Sequence, residues 1–186
     1  RILNAYITVF LGVFCGETPE TYFAHHVGMH HKESNGDADL SSTMPYQRDS
    51  FRHWLKYFGS FFFAGLPLLV RYLRSVRRER LARRVLVGEP AFWCLVALVG
   101  LLSGWQAALV VFVVPVVVVR MLMMMGNWAQ HAFVDPSDSA NSYRNSISCI
   151  NTRYNRRCFN DGYHIVHHLR PALHYTEMPA EFVADP

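Results

Sequence analysis

Apolar residues fall along this chain in blocks, and nearly all the histidines and arginines fall between the blocks. Ile2 to Gly16 is uncharged and apolar. As helix it would reach ~22 Å at ~1.5 Å per residue, short of a ~30 Å hydrocarbon core, so it predicts the end of a span or a helix partly in the interface. Thr21 to His31 carries the first histidine group, and residues 32–50, with Asn35-Gly36 and Ser41-Ser42, predict a surface loop with local turns. Phe51 to Tyr72 is rich in aromatics, but its charge-free part, Tyr57 to Val70, is short and interrupted by Pro67. It reads as an interfacial or re-entrant helix. The run Arg71, Arg74, Arg77, Arg78, Arg80, Arg83 and Arg84, broken only by Glu79, predicts a solvated helical face on the cytoplasmic side of a membrane.

Val85 to Gly104 and Gln106 to Met125 then predict a transmembrane hairpin over 85–125, turned at Ser103-Gly104-Trp105, each arm reaching ~30 Å. Glu89-Pro90 is expected near the membrane mouth of the first arm, and Arg120 near the far end of the second, where a long side chain can snorkel. A hairpin in a soluble core is the competing reading; Ala107 to Val119, without a charge or strongly polar residue, weighs against it. The hairpin returns to the side from which it started. The first histidine group, the arginines and everything after Met125 can therefore share one membrane face. The fold expected is all-α: an integral-membrane helical domain with a histidine-rich cap on the cytosolic side, and one domain over 1–186.

Composition agrees with this picture. The chain is 51% hydrophobic and 17% charged, apolar for a soluble domain, and its net charge of +4 is carried largely by arginine. The four cysteines, Cys15, Cys94, Cys149 and Cys158, show no Cys-x-x-Cys spacing, which argues against a disulfide framework or a thiolate zinc site. Arg1 opens the chain inside an apolar run with no signal segment, and Asp185-Pro186 closes it abruptly, so it reads as a fragment.

Ten histidines are unusual for a chain of this size. The first group is His26-x-x-x-His30-His31, preceded by His25. On a helix i and i+4 share a face and i+5 lies about 100° further round, so His26 and His30 can point at one metal and His31 at a neighbouring one. The last group is His164-x-x-His167-His168, where i and i+3 again share a face; Asn127 and His131 stand at i and i+4 at the end of the second arm. Seven such histidines are too many for one four-coordinate zinc and suit two metals in open coordination. Imidazole accepts iron, zinc, copper and nickel alike, so spacing does not name the metal. His25, His53 and His174 stand outside the pattern and read as structural or surface residues. There is no Gly-x-Ser-x-Gly elbow, phosphate-binding glycine loop, Rossmann fingerprint or haem-attachment Cys-x-x-Cys-His. A histidine-rich metal site at a membrane face suggests a lipid substrate and redox or hydrolytic chemistry.

These residues resemble the superfamily of membrane fatty acid desaturases and hydroxylases and the related alkane monooxygenases. His26-Val-Gly-Met-His30-His31 is similar to that superfamily's second histidine box, Asn127-Trp-Ala-Gln-His131 to the motif carrying its additional histidine, and Asn160-Asp-Gly-Tyr-His164-Ile-Val-His167-His168-Leu-Arg-Pro171 to the third box. The order of box, interfacial segment, hairpin, extra histidine and box also agrees, over essentially the whole chain. The family's first box, usually His-x-x-x-His, has no counterpart before His25, and truncation is the expected cause.

The resemblance implies two irons held mainly by imidazoles, with His26, His30, His31, Asn127, His131, His164, His167 and His168 as metal residues and O2 as co-substrate. Asp161 is a candidate to orient an imidazole, or else a turn residue beside Gly162. The substrate implied is a lipid acyl or alkyl chain within the membrane. The expected donor is a small electron-transfer protein, for which part of the arginine run offers a docking surface; no nucleic-acid partner is expected. Desaturation is the favoured activity and alkane or fatty acid hydroxylation the alternative. A non-catalytic membrane metal protein or transporter is the reading from another class; transporters commonly place ligands inside spanning helices, and both arms here lack histidine. The geometric consequence is definite: the seven box imidazoles should surround a common site, and His131 on the opposite side of the bilayer from His164 would break the hairpin.

Overall fold

A computed structural model describes residues 6–16, 18, 20–138, 141 and 143–184. Every regular element among them is helical. Helix α1 is a π-helical turn over Tyr6–Leu11 followed by an α turn over Gly12–Phe14; the start of the expected Ile2 to Gly16 segment lies outside the described residues. Helix α2 joins three pieces end to end, Thr21–His25, a π-helical turn His26–His30, and His31–Glu33. Three long helices follow: α3 (Phe51–Ser75), α4 (Glu79–Ser103) and α5 (Trp105–His131). The short helices α6 (Arg153–Arg157), α7 (His164–Leu169) and α8 (Met178–Ala184) complete the order.

Helices α4 and α5 form the expected hairpin, reversing at Gly104, whose φ of +95° is open to glycine and strained for any other residue. The arms are longer than 85–125. Arg80, Arg83 and Arg84 continue α4 as an exposed helical face, and Asn127 to His131 continue α5. At 25 and 27 residues the helices reach ~38 and ~40 Å, so their ends stand clear of a ~30 Å hydrocarbon core on one side. Their apolar windows have mean hydropathies of 2.1 and 2.6, yet only 28% and 22% of those windows is buried inside the protein. The core hairpin of a soluble protein would be covered. Here Leu101 and Leu102 at the tip are 75% and 77% exposed, as lipid-facing residues are.

Helix α3 departs from the re-entrant expectation. It runs unbroken through Pro67, because the carbonyl that the proline deprives of a partner belongs to Phe63, which is 84% exposed. Three buried clusters fix the helices together. Ala24 and Met29 of α2 pack with Leu69, Val70 and Leu73 of α3 and Ala82 and Val85 of α4. Val13 of α1 meets Phe92 and Val96 of α4 and Ala108, Phe112 and Val116 of α5. Tyr57 of α3 packs against Met124 and Trp128 of α5. The tight turn between α3 and α4 places Arg77 at φ 58° and sends the Arg78 guanidinium to the carbonyl of Gly28 in α2, 2.6 Å away.

The expected loop over 32–50 is rich in turns, as read, but part of it is not at the surface. Asn35, Asp39, Ser41, Ser42 and Thr43 are buried. They cover the C-terminal end of α5, whose last carbonyls lack helical partners. Thr43 Oγ1 and Asn35 Nδ2 donate to the His131 carbonyl at 2.8 and 3.4 Å, and Arg48 Nη1 to that of Val134 at 2.8 Å.

Glu89 and Arg120 correct a second expectation. They lie at nearly equal separations from Gly104, so the hairpin brings them to the same depth, and each has the other as partner across it, where the sequence reading treated them singly. Arg120 Nη2 meets Glu89 Oε1 at 3.0 Å; Thr21 Oγ1 donates to Glu89 Oε2 at 3.0 Å and Trp93 Nε1 to Oε1 at 3.2 Å. The pair thus ties both arms to the start of α2. Glu89→Ala, which leaves the partly buried Arg120 with only the Thr18 hydroxyl, is expected to cost roughly 2 kcal/mol. The double variant Glu89→Leu with Arg120→Met should recover most of that. Thermal unfolding in detergent measures both; a Glu89→Ala protein as stable as wild type would show that the pair contributes nothing.

Candidate metal centre

The π-helical turn in α2 decides how its histidines are shared out. The His31 N–H donates to the His26 carbonyl, an i to i+5 bond that widens the turn and brings His26 and His31 onto one face. His30 then points elsewhere. The sequence pattern pairs His26 with His30; the structure pairs His26 with His31, because the backbone between them is not α-helical. In α7 the backbone is α-helical, and i+4 lies closer to the same face than i+3. His164 and His168 accordingly stay together and His167 turns away.

Two groups of ring nitrogens result, each with its ligand atoms within 4.8 Å of one another: His26, His31 and His167 in one, and His30, His131, His164 and His168 in the other. In the first, the Nε2 atoms of His26 and His167 are 3.2 Å apart, those of His31 and His26 3.2 Å, and those of His31 and His167 2.9 Å. In the second, His164 Nε2 lies 3.0 Å from His131 Nε2 and 3.1 Å from His168 Nε2. Two imidazole nitrogens bound to one ion at ~2.1 Å and at right angles sit ~3.0 Å apart. The spacing is that of a ligand set.

Electrostatics agrees. Burial pushes His26 down to about 2 and His31 to about 3, with neighbouring imidazoles adding to the effect. Burial likewise holds His164, His167 and His168 below the ordinary histidine range. The rings are therefore neutral at physiological pH. A neutral imidazole carries one N–H, on either ring nitrogen, so three or four Nε2 atoms crowded about one point cannot all satisfy one another, and a bound cation takes up the lone pairs that remain. His30 Nε2 is buried without any hydrogen-bond partner, as a nitrogen reserved for a metal would be.

The other ring nitrogen fixes orientation at two positions. His131 Nδ1 lies 2.7 Å from the Asn145 carbonyl. A carbonyl only accepts, so Nδ1 carries the proton and Nε2 presents its lone pair to the site. His30 Nδ1 lies 2.7 Å from Asp39 Oδ2. Burial pushes the Asp39 carboxyl up, but His30 and Ser41 together hold it well below the usual carboxylate range. Neither Asp39 nor Asn145 was legible as a site residue in the sequence. The available signal was Asp39-Leu-Ser41, an Asp able to turn back onto the backbone two residues on.

The carboxyl-terminal histidines are delivered by a pinned loop. Thr152 caps α6, accepting from the Asn155 N–H at 3.1 Å, and Asn155 Oδ1 accepts from the Gly162 N–H at 2.9 Å. A Cβ at Gly162 would lie 2.5 Å from the Cys149 carbonyl oxygen, so the approach that sets the start of α7 admits only glycine. Asp161 touches no imidazole nitrogen. It accepts from Gln130 Nε2 at 3.0 Å and from the Tyr154 hydroxyl, cross-linking the end of α5 to the segment before α7. Asn127 donates its amide to the Ser41 carbonyl at 3.0 Å and to the Tyr57 hydroxyl at 2.6 Å, at the wall of the cavity described next. His25 is buried edge-on to Phe61, His53 accepts from the Gln47 N–H, and His174 contacts Thr176; all three lie outside the two groups.

A cavity of about 960 Å³ runs between α2, α5 and the carboxyl-terminal segments. His26, His164 and His167 form one part of its wall, and Leu122 to Met125, Phe159 and Met178 form an apolar part. An elongated apolar chain can lie there against both imidazole groups.

Comparison with family models gives one match, to the family described as fatty acid desaturase, over residues 1–184. Neither the curated proteins nor the solved structures give a match. Elemental analysis of the purified protein is expected to find two metal ions per chain, and His167→Ala to retain one of them. A single ion in the wild-type protein, or both lost from His167→Ala, would show that the two groups are not separate sites.

Proposed function

The chain belongs to the fatty acid desaturase family, and we propose that it is an integral-membrane desaturase that holds two irons and introduces a double bond into a lipid acyl chain. The family makes it an oxidoreductase; the choice of desaturation within that chemistry is our reading. The observation that carries it is the meeting of two separate imidazole groups at the wall of one apolar cavity. Iron held by the seven histidines supplies, when bound, the activation of O2 and the abstraction of hydrogen from an unactivated carbon.

The chain's own residues do the rest. Leu122 to Met125, Phe159 and Met178 hold the acyl chain, the methionines adapting to its shape, so that one pair of methylenes rests against the imidazole groups. His131 and His30, fixed by Asn145 and Asp39, keep their lone pairs directed inward. Asn127, its amide N–H groups anchored by Ser41 and Tyr57, keeps its amide oxygen free at the cavity wall, where it would serve as a weak, easily displaced ligand, directly or through water. The exposed arginines Arg71, Arg80 and Arg83 support a cytosolic position for the imidazole side, and in this reading they offer a basic surface to a small acidic electron donor.

Removing two hydrogens consumes one O2, two electrons and two protons and releases two waters, so no oxygen atom enters the product. Hydroxylation consumes the same reactants but leaves one oxygen on carbon and releases one water. Membranes containing the full protein, a reductant system and a deuterated acyl lipid, incubated under ¹⁸O2, separate the two. We expect an unsaturated product that has lost two deuterons and carries no ¹⁸O. A product carrying ¹⁸O would make it a hydroxylase, and no O2-dependent product would leave only a membrane metal protein.

A further inference from the structure

Among the described residues, His30 is the one of the seven converging imidazoles whose outer nitrogen is hydrogen-bonded to a carboxylate. Asp39 is buried with it, the two side chains being 0% and 1% exposed. Its oxygens are saturated by the protein: Oδ2 accepts from the Asn35 N–H at 2.9 Å as well as facing His30, and Oδ1 accepts from the Ser41 N–H at 2.8 Å and the Ser41 hydroxyl at 2.6 Å. The carboxylate is thereby held in one place by backbone and side chain, and cannot swing to bind a metal itself. Nδ1 of His31, in the three-imidazole group, has no partner, and neither have those of His164 and His168 in the four-imidazole group, so the carboxylate on His30 is what sets the groups apart. No carboxylate is hydrogen-bonded to any ring of that group among the described residues.

We propose that Asp39 is a positioning residue that makes the two metal sites unequal, anchoring the ion held by His30, His131, His164 and His168 and leaving the ion held by His26, His31 and His167 the more readily exchanged. Two physical effects act in the same direction. The hydrogen bond fixes the tautomer and ring angle of His30, so no ordering is needed when the ion binds. A full negative charge one imidazole away makes the ring a stronger donor and favours a cation in a water-poor environment. The four-imidazole group also has a second ring fixed, by the Asn145 carbonyl. The inference rests on the proposal that these histidines hold two irons.

The experiment uses the iron-loaded protein in detergent, kept reduced and anaerobic, and follows iron release to an excess of a ferrous chelator. Wild type should release its iron in two phases. His167→Ala, which opens the three-imidazole site, should remove the fast phase. Asp39→Asn should accelerate the slow phase by roughly ten- to a hundred-fold and leave the fast one alone. Asp39→Glu should restore part of the delay. Mössbauer spectra of ⁵⁷Fe-loaded protein should show one of two iron signals altered in Asp39→Asn. Should that variant not fold, Ser41→Ala, which keeps the carboxylate but removes one of its hydrogen bonds, should accelerate the same slow phase to a smaller extent. An unchanged slow phase in Asp39→Asn, or in Ser41→Ala if that variant alone folds, overturns the inference, as does a change confined to the fast phase. Wild-type protein that binds no iron overturns the two-iron reading itself, and Asp39's role with it.

Discussion

Six imidazoles from three separate parts of the chain bring their Nε2 atoms to about 3 Å of one another, and the Nε2 of a seventh, His30, is buried beside them without a partner. Such crowding leaves ring nitrogens that the neighbouring rings cannot all satisfy. The scaffold must hold the rings there against the desolvation of those nitrogens, and a cation at each focus takes up the lone pairs that no N–H reaches. The rest of the fold serves this purpose. The π-helical turn in α2 sends His26 and His31 one way and His30 another. The carbonyl of Asn145 and the carboxylate of Asp39 fix two ring angles, and the Asn155–Gly162 contact fixes where α7 begins.

The membrane hairpin takes part in the same task. Helix α5 carries His131 at its end, so any slip of the hairpin in depth would move that ring out of its group. Three contacts resist slippage: the Glu89–Arg120 pair with Thr21, the buried cover that Asn35 and Thr43 place on the His131 carbonyl, and the packing of Met124 and Trp128 on Tyr57. Two of these three reach to α2 or to the segment that follows it. The lipid-facing part of the protein and the imidazole cluster are therefore set in register by the same polypeptide segments. This is why a cavity opening beside Leu122 to Met125 can present an apolar chain to rings contributed by α2 and α7.

Much of this was legible in the sequence. Block segregation and the Ser103-Gly104-Trp105 link gave the hairpin, and the histidine spacing gave the convergence of seven rings. What the pattern misassigned was their division between two groups. For His26, His30 and His31 the reason is that spacing arguments presume an α-helical backbone and a π-helical turn has no distinct sequence signature. For His164, i+3 and i+4 both lie near its face, and spacing alone does not choose between His167 and His168. Residues 32–50 read as a surface loop since they are polar, yet some of those same polar groups are what satisfy a buried helix end. Glu89 and Arg120 read as interfacial when each was taken alone; their equal separation from Gly104 was the signal that they meet. Asp39 was invisible for the same reason as its segment. A polar residue in a polar stretch declares its burial only through its partners.

The division of the imidazoles into groups of three and four is most directly tested by locating the metal. A structure of the iron-loaded protein, with anomalous scattering recorded at the iron edge, should give two separate peaks. One is expected among the Nε2 atoms of His26, His31 and His167, and the other among those of His30, His131, His164 and His168. A single peak, or one whose ligands include both His26 and His30, would contradict the division and with it the role assigned to the π-helical turn.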